Sequence, residues 1–313
     1  MQFLAYILSR LVQMVPVLFL VVLIAFLAME LVPGDPIMLM LGGRANETML
    51  AALHAEFGLD RPAVTRFFSF IVNALQGDLG TSIIQRQPVS VIVGERIEKT
   101  VFVIVYGAVL AVLVALPLAV IAAMKHDRPV DHAIRIGGMV GMSMPPFWLA
   151  LLLILLFGLG LGWFPIGGYG EGFFGHLWHL FLPGLTIALF LSPILVASLR
   201  AAMLDVMGED YIEVARSKGL SPRRIMFKHV LRNALIPAIT VLSLNIGWLL
   251  SGAVIVEYVF SIPGMGSLLV RSVGSRDYPV IQGLTVVFAL FVMLTNLAAD
   301  LSYMLVDRRV LRK

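Results

Sequence analysis

Residues 205–237 read DVMGEDYIEVARSKGLSPRRIMFKHVLRNALIP, a charged island between two of the most apolar stretches of a 313-residue chain. Glu209, Asp210 and Glu213 load the first half with acid, which suits the positive end of a short helix. Tyr211, Val214 and Ala215 are expected on one side of that helix. Gly219 is a natural stop, because glycine adopts the left-handed conformation at no steric cost. Ser221 then offers an N-cap and Pro222 the preferred residue for a first helical position. In the second helix Ile225, Met226 and Val230 share one side, while Arg224, Lys228 and Arg232 recur every four residues on another. The segment therefore predicts helix, tight turn, helix, amphipathic and lying at a membrane surface.

The rest of the chain supplies the membrane. It is 59% hydrophobic and only 13% charged, with a mean hydropathy of +0.95, against about 25% charged in a soluble domain. Apolar segments near 11–32, 101–124, 136–160, 179–199, 235–256 and 281–305 each approach the ~20 residues that cross a ~30 Å hydrocarbon core. The fold class is thus all-α, a polytopic membrane protein with six transmembrane helices. The first segment exceeds the ~7–15 residues of a signal-peptide core, and Val32-Pro33-Gly34-Asp35-Pro36 lacks a small-x-small cleavage site, so it is read as a retained helix. Cysteine is absent, which removes disulfides, thiolate metal sites and thiol nucleophiles.

Basic residues set the expected orientation. The connections 1–10, 125–135, 200–233 and 307–313 hold 15 of the 23 lysines and arginines. The short connections 161–178 and 257–280 hold 2, and the long 33–100 loop holds 6, where translocation is largely indifferent to charge. Both termini and the 205–237 island are therefore expected in the cytoplasm. The net charge of +4 follows from this bias and does not indicate nucleic-acid binding. The chain divides into a cytoplasmic N-terminus and first span (1–32), a periplasmic loop domain (33–100) and a five-helix core (101–313) with the charged loop at about 205–233.

Within 33–100, Asn46 or Thr48 is expected to cap a helix through Leu53 and Phe57, ended by Gly58. Asp60-Arg61-Pro62 begins another, with Phe67, Phe68, Ile71, Val72 and Leu75 as one apolar face, broken by Gly77-Asp78-Leu79-Gly80. Arg10 and Glu30 mark the inner and outer ends of the first span. Met144-Pro145-Pro146-Phe147 predicts a kink or break in the third span. Pro183 and Pro193 imply either ordinary bending or a broken helix lining a pathway. Trp163, Phe164, Tyr169, Phe173, Phe174 and Trp178 make an aromatic belt at the outer interface, a surface that a docked protein would also suit. Pro263-Gly264-Met265-Gly266 followed by Leu268-Leu269-Val270 predicts a re-entrant hairpin before Arg276-Asp277-Tyr278-Pro279.

Chemistry is sparse. None of the five lysines follows a glycine, so there is no phosphate-binding G-x-x-x-x-G-K-[ST], and neither H-E-x-x-H nor G-x-S-x-G occurs. His176 and His179 are spaced to share a metal on a helical turn, but two histidines around Trp178 read more simply as interfacial side chains. Ion-coupled carriers keep ionisable groups at mid-membrane. Here Asp300, with Asn296 a turn earlier, and Glu257 lie nearer the ends of spans, where packing or capping accounts for them. This disfavours a self-contained carrier, and the lack of a nucleophile–base pair disfavours a membrane-embedded enzyme. A basic helix on anionic lipid explains the second helix of the island. It leaves the acidic first helix and the Gly-Leu-Ser-Pro corner unexplained; a bracket that transmits a push from a soluble motor explains both.

Glu213-Val214-Ala215-x3-Gly219 resembles the EAA loop of permease subunits of ATP-binding-cassette importers. Gly208-Glu209-Asp210-Tyr211, Ala215-Arg216-Ser217-Lys218-Gly219 and His229-Val230-Leu231-Arg232-Asn233-Ala234 resemble its peptide/nickel branch. So do Pro33-Gly34-Asp35-Pro36, Gly58-Leu59-Asp60-Arg61-Pro62, Gly77-Asp78-Leu79-Gly80, Ser143-Met144-Pro145 and Arg276-Asp277-Tyr278-Pro279-Val280. The resemblance, to the dipeptide/oligopeptide B-type permease, implies the type I importer permease fold in a bacterial inner membrane. It implies that Glu209, Asp210, Tyr211, Glu213, Ala215, Arg216, Lys218, Gly219, Leu220 and Ser221 couple to an ATPase. It implies that Pro263, Gly264, Gly266, Arg276, Asp277 and Tyr278 belong to an outer gate facing a periplasmic or lipid-anchored substrate-binding protein. The implied partners are a second permease and two ATP-binding subunits, which hold ATP and magnesium, leaving this chain without cofactor, metal or catalytic residue. The implied cargo is a di- or oligopeptide, with glutathione or a nickel chelate as alternatives. Two departures stand out: Val214 replaces the motif's middle alanine, and His229, with Pro237 later, stands where an isoleucine-x-leucine-proline end is usual.

Overall fold

The computed structural model describes residues 2–31, 34–41 and 46–306, so Pro33, Arg44 and the basic cluster at Arg308, Arg309, Arg312 and Lys313 lie outside the described residues. Among those described, structure is helical, with a single antiparallel bridge between Thr81 and Pro88. The chain forms two compact units, Met1–Thr100 with Pro263–Leu294, and Val101–Ile262 with Thr295–Lys313.

The first unit begins with α1 (Gln2–Leu31), followed by the short α2 (Pro36–Leu41), α3 (Glu47–Glu56) and α4 (Ala63–Leu75). Asn46 caps α3 by accepting from the Thr48 amide, so of the two capping candidates Asn46 is the one used. Gly58 and Gly77 adopt φ of +66° and +85° and close α3 and α4 in the same way. The glycine amide returns to the third-last carbonyl and the next residue's amide to the one before it, a Schellman end. α4 packs on α1 through Phe67, Phe70 and Ile71 against Val22 and Phe26. The expected face is therefore only partly right, because Phe68, Val72 and Leu75 point away and stand exposed. The long α5 (Val89–Met124) starts in this unit. Its first turns meet α13 (Met265–Ser275) and the start of α14 (Tyr278–Val306) in a buried cluster of Val89, Ile92, Val93, Met265, Leu268, Val280 and Leu284.

The second unit contains α6 (Pro129–Ser143), α7 (Pro146–Leu153) continuing as a π-helical stretch Ile154–Gly160, α8 (Gly172–His179), α9 (Phe181–Met207), α10 (Asp210–Ser217), α11 (Pro222–Ile225), a π-helical stretch Met226–Val230, and α12 (Leu231–Val259). α9 and α12 form the most extensive pairing, and α6 and α7 pack on α9. The expected break at Met144-Pro145-Pro146 is present, with α6 and α7 inclined by 103°. A residue before proline is driven from the helical to the extended region. Met144 and Pro145 both precede a proline and take ψ of 128° and 136°. Pro183 lies in the first turn of α9, where its missing N–H is harmless. Pro193 lies inside a continuous helix and is approached by Gly138 of α6, so α9 is not the broken helix.

Among the described residues, four helical segments are long and apolar enough to cross a membrane, Ile7–Leu31, Val89–Met124, Phe181–Met207 and Tyr278–Ala298, and the bent pair 129–160 makes up to five. The span expected at 235–256 lies within α12, of which Gly247–Val259 is a shorter apolar portion.

Candidate functional site

The 205–237 island folds as a two-helix bracket in the second unit. The amide of Gly208 closes the end of α9 on the Leu204 and Asp205 carbonyls, and Glu209 turns to an extended ψ of 143° before α10 begins. Asp210 and Glu213 occupy the first turn of α10 and Arg216 the last, the order that favours the helix dipole. Gly219, at φ +77°, closes α10 with a third Schellman end: its amide donates to Arg216 (2.9 Å) and that of Leu220 to Ala215 (3.3 Å). A Cβ on Gly219 would meet nothing within 4 Å, so the glycine is required by backbone conformation and not by space. Ser221 caps α11 by accepting from the Arg224 amide at 3.4 Å, with Pro222 at the first position.

The inner face of the bracket differs from expectation in its first helix. Ile212 and Ala215 are buried, whereas Tyr211 and Val214 are exposed. Positions three apart share a helical face, and Ile212, not weighed in the sequence, is the partner of Ala215. In the second helix Ile225, Met226 and Val230 are buried and Arg224, Lys228 and Arg232 exposed, as expected. The Asn233 amide donates to the Tyr211 hydroxyl at 2.9 Å, tying the two arms together. Glu209, Asp210, Glu213, Arg216, Lys218, Gly219 and Ser221 are exposed and Leu220 is half-buried beside a cavity of about 210 Å³ with Met124, Met207 and Ile225. The segment after His229, where the motif departs, contains no turn: helical dihedrals run from α11 through the π-helical stretch into α12. Val214, the other departure, points outward, so its bulk creates no clash inside the bracket.

A buried ion pair that sequence reasoning missed lies in the same unit. Arg200, near the end of α9, donates from Nε and Nη2 to the two carboxylate oxygens of Asp131, at 2.7 and 2.6 Å. Asp131 is fully buried and also accepts from the Asp127 amide at 3.0 Å. Two charges 69 residues apart, each beside other charges, gave no periodic signal. The pair locks the start of α6 to the end of α9.

The outer-gate candidates fall at the two ends of α13 in the first unit, about 15 Å apart at 1.5 Å per residue. At one end Pro263 is exposed, Gly264 and Gly266 are buried, and the Met265 amide donates to Thr100 Oγ1 at 2.8 Å. At the other, Arg276 takes a left-handed φ of 55°, and its guanidinium lies against Gly34, so that a side chain there would require the guanidinium to shift. Asp277 is turned inward: it accepts from Ser82 Oγ at 2.5 Å, the Ile83 amide at 3.0 Å and the Ile84 amide at 3.4 Å. Tyr278, half-buried, lines a cavity of about 240 Å³ with Glu30, Gly58, Arg61, Arg66, Gly80 and Pro279. Motifs read one by one along the sequence therefore meet at one corner, where Asp35 also accepts from the Ile37 amide and pairs with His54 at 2.8 Å.

The aromatic segment 163–178 lies in the second unit, with Trp163, Phe173, Phe174 and Trp178 exposed and Phe164 stacked between Trp178 and Phe181. His176 and His179 each direct Nδ1 to a backbone carbonyl, of Tyr169 and Gly175, at 2.9 and 3.0 Å. Among the described residues no three histidine, cysteine or carboxylate side chains gather as a metal site. The Asp300 side chain lies outside the described part.

A helical protein with membrane-spanning apolar segments and an exposed two-helix bracket between two packed helices fits the class of a transport permease. The chain belongs to the family described as binding-protein-dependent transport system inner membrane component, which matches residues 115–312, and the N-terminal part of that system's membrane component matches residues 3–104. It is 36% identical to the oligopeptide transport system permease protein AppB of Bacillus subtilis (strain 168), over 98% of this chain and 99% of that one. It is 38% identical to the glutathione transport system permease protein GsiC of Escherichia coli (strain K12), over 95% and 96%. The fold matches a structure of the MetNI methionine ABC transporter in inward-facing conformations, with a TM-score of 0.56 at 18% identity over 69% of this chain and 96% of that one. It also matches an amino acid ABC transporter, with a TM-score of 0.52 at 16% identity over 68% and 92%. The protein is thus a multi-pass inner-membrane permease of the ABC importer type, which implies ATPase and substrate-binding partners.

Proposed function

We propose that this chain carries peptides, glutathione included, inward across the membrane as one of two different permeases, driven by two ATPase subunits that bind ATP and magnesium. The relatives over nearly the whole chain support the cargo class. The bracket carries the mechanism, because its exposed face of Tyr211, Glu213, Val214, Arg216 and Lys218 is joined to α9 by the short turn at Gly208-Glu209 and to α12 through one Schellman turn and α11. With both termini on the cytoplasmic side, this face seats in a groove of the ATPase, and the chain itself performs no chemistry.

ATPase closure pushes on α10 and α11. No loop interrupts the path from α11 into α12, so the push arrives in a spanning helix undissipated. α9 receives it through the paired core, and the Asp131–Arg200 lock passes it to α6. The corner of α13 and α14 faces the binding protein, with Arg276, Tyr278 and Pro263 as its accessible gate residues.

The test uses the complete transporter in proteoliposomes. Glu213→Lys is expected to leave membrane insertion and basal ATP hydrolysis intact while reducing peptide uptake at least tenfold. Undiminished uptake would sink the coupling role. Uptake by this chain without the ATPases would sink the importer reading as a whole. Ligand analysis of the co-purified binding protein decides between longer peptides, glutathione and a nickel chelate.

A further inference from the structure

α4 has three sectors where an ordinary surface helix has two. At about 100° per residue, Ala63, Phe67, Phe70, Ile71 and Ala74 form one arc, and Phe67, Phe70 and Ile71 pack on α1. Arg66, Ser69 and Asn73 form a polar arc that lines the 240 Å³ cavity with Glu30. Between them lies a third arc of Val64, Phe68, Val72 and Leu75, exposed by 67, 56, 53 and 83%. The apolar surface of α4 is therefore about twice as wide as its contact with α1 uses.

The level of α4 along α1 identifies what covers this arc. The Phe67 ring sits edge-on to Phe26 at 5.3 Å and to Phe19 at 5.7 Å. The apolar part of α1, Ile7–Leu31, has 25 residues, about 37 Å at 1.5 Å per residue and so longer than a ~30 Å hydrocarbon core. With the ~7 Å excess shared between the two ends, Phe26, five residues before Leu31, lies about 4 Å inside the hydrocarbon, and Phe19, twelve residues before, about 14 Å inside it. Phe67, between them, is below the headgroups. Arg66, one position earlier, reaches back to Glu30 with two bonds of 2.6 Å, placing its charge at headgroup level. Both ends of α4 are polar and exposed, Asp60 and Arg61 before it and Gln76 and Asp78 after, as in a helix lying in the membrane plane.

We infer that α4 is an interfacial membrane helix whose Val64–Phe68–Val72–Leu75 stripe is covered by lipid acyl chains of the leaflet at the Leu31 end of α1. The 33–100 segment is then not wholly aqueous but holds α1 to one leaflet. The inference rests on α1 crossing the membrane and not on the coupling or gate assignments.

The absence of cysteine makes the test direct. Single cysteines at Val64, Phe68 and Val72, with Asp60 and Gln76 as controls, are spin-labelled in the complete transporter in phosphatidylethanolamine–phosphatidylglycerol vesicles, with a nickel chelate on both sides. Collision with oxygen is expected to exceed collision with the chelate several-fold at Val64→Cys, Phe68→Cys and Val72→Cys, and to be reversed at the controls. Chelate access equal to that at Asp60→Cys would overturn the inference in favour of water. Exclusion of both reagents would overturn it in favour of a covering protein such as the second permease. Peptide uptake by each variant reports separately on the proposed transport function.

Discussion

The bracket at 205–237 and the corner at Asp277 are both held by hydrogen bonds to backbone amides, yet they are built on opposite plans. In the bracket every bond of the turn joins residues within five positions of each other. At the corner the carboxylate of Asp277 reaches Ser82, Ile83 and Ile84, almost two hundred residues away. A local device can move as one piece when pushed, whereas a non-local one fixes distant segments against each other. The first suits a part that receives force and the second a part that must keep its shape.

Substitutions that probe the difference separate by size. Arg200→Ala is expected to have the largest effect, because it strands the buried Asp131 carboxylate at the root of the bracket. Removal of one partner of a buried pair costs roughly 3–5 kcal/mol, which thermal unfolding of the purified chain should read as a large drop in melting temperature. Asp277→Ala comes close behind, since each bond to a charged acceptor contributes roughly 1.5–3 kcal/mol and two amides and a hydroxyl lose theirs, though no buried charge is left stranded. Proteolysis should then appear first within residues 77–88. Gly219→Ala is smaller, about 1–2 kcal/mol for a left-handed L-residue, with space for the methyl. Its effect on peptide uptake should exceed its effect on melting, and the opposite order would show that the turn serves stability and not force transfer.

Legibility in the sequence follows the same division. The helix ends at Gly58, Gly77 and Gly219, the Ser221 cap and the break at Pro145-Pro146 were readable because each is decided by residues within one turn. The faces of α4 and α10 were half readable. An apolar residue such as Phe68 or Tyr211 is counted as inward by spacing, but only the neighbour decides, and in α4 the apolar arc is wider than the neighbour. The Asp131–Arg200 and Asp277–Ser82 contacts had no local signal at all. The motifs of the first unit were recognised individually by resemblance, while their meeting around one cavity depends on how α13 and α14 return to the segment before α5.

The π-helical stretch at Met226–Val230 has a consequence for how this segment is compared with its relatives. Each i→i+5 turn holds one residue more than an α-turn, so the stretch delays the angular phase of everything after it by about one residue, roughly 100°. Counted from Gly219, the motif's end falls on His229; measured by rotation, it falls later, toward α12. A deletion of one residue in Met226–Val230 would therefore be absorbed by conversion of the stretch to α-helix, leaving the face that α12 turns to α9 unchanged. Along this connection, angle and not residue number is the coordinate that keeps force and packing in register.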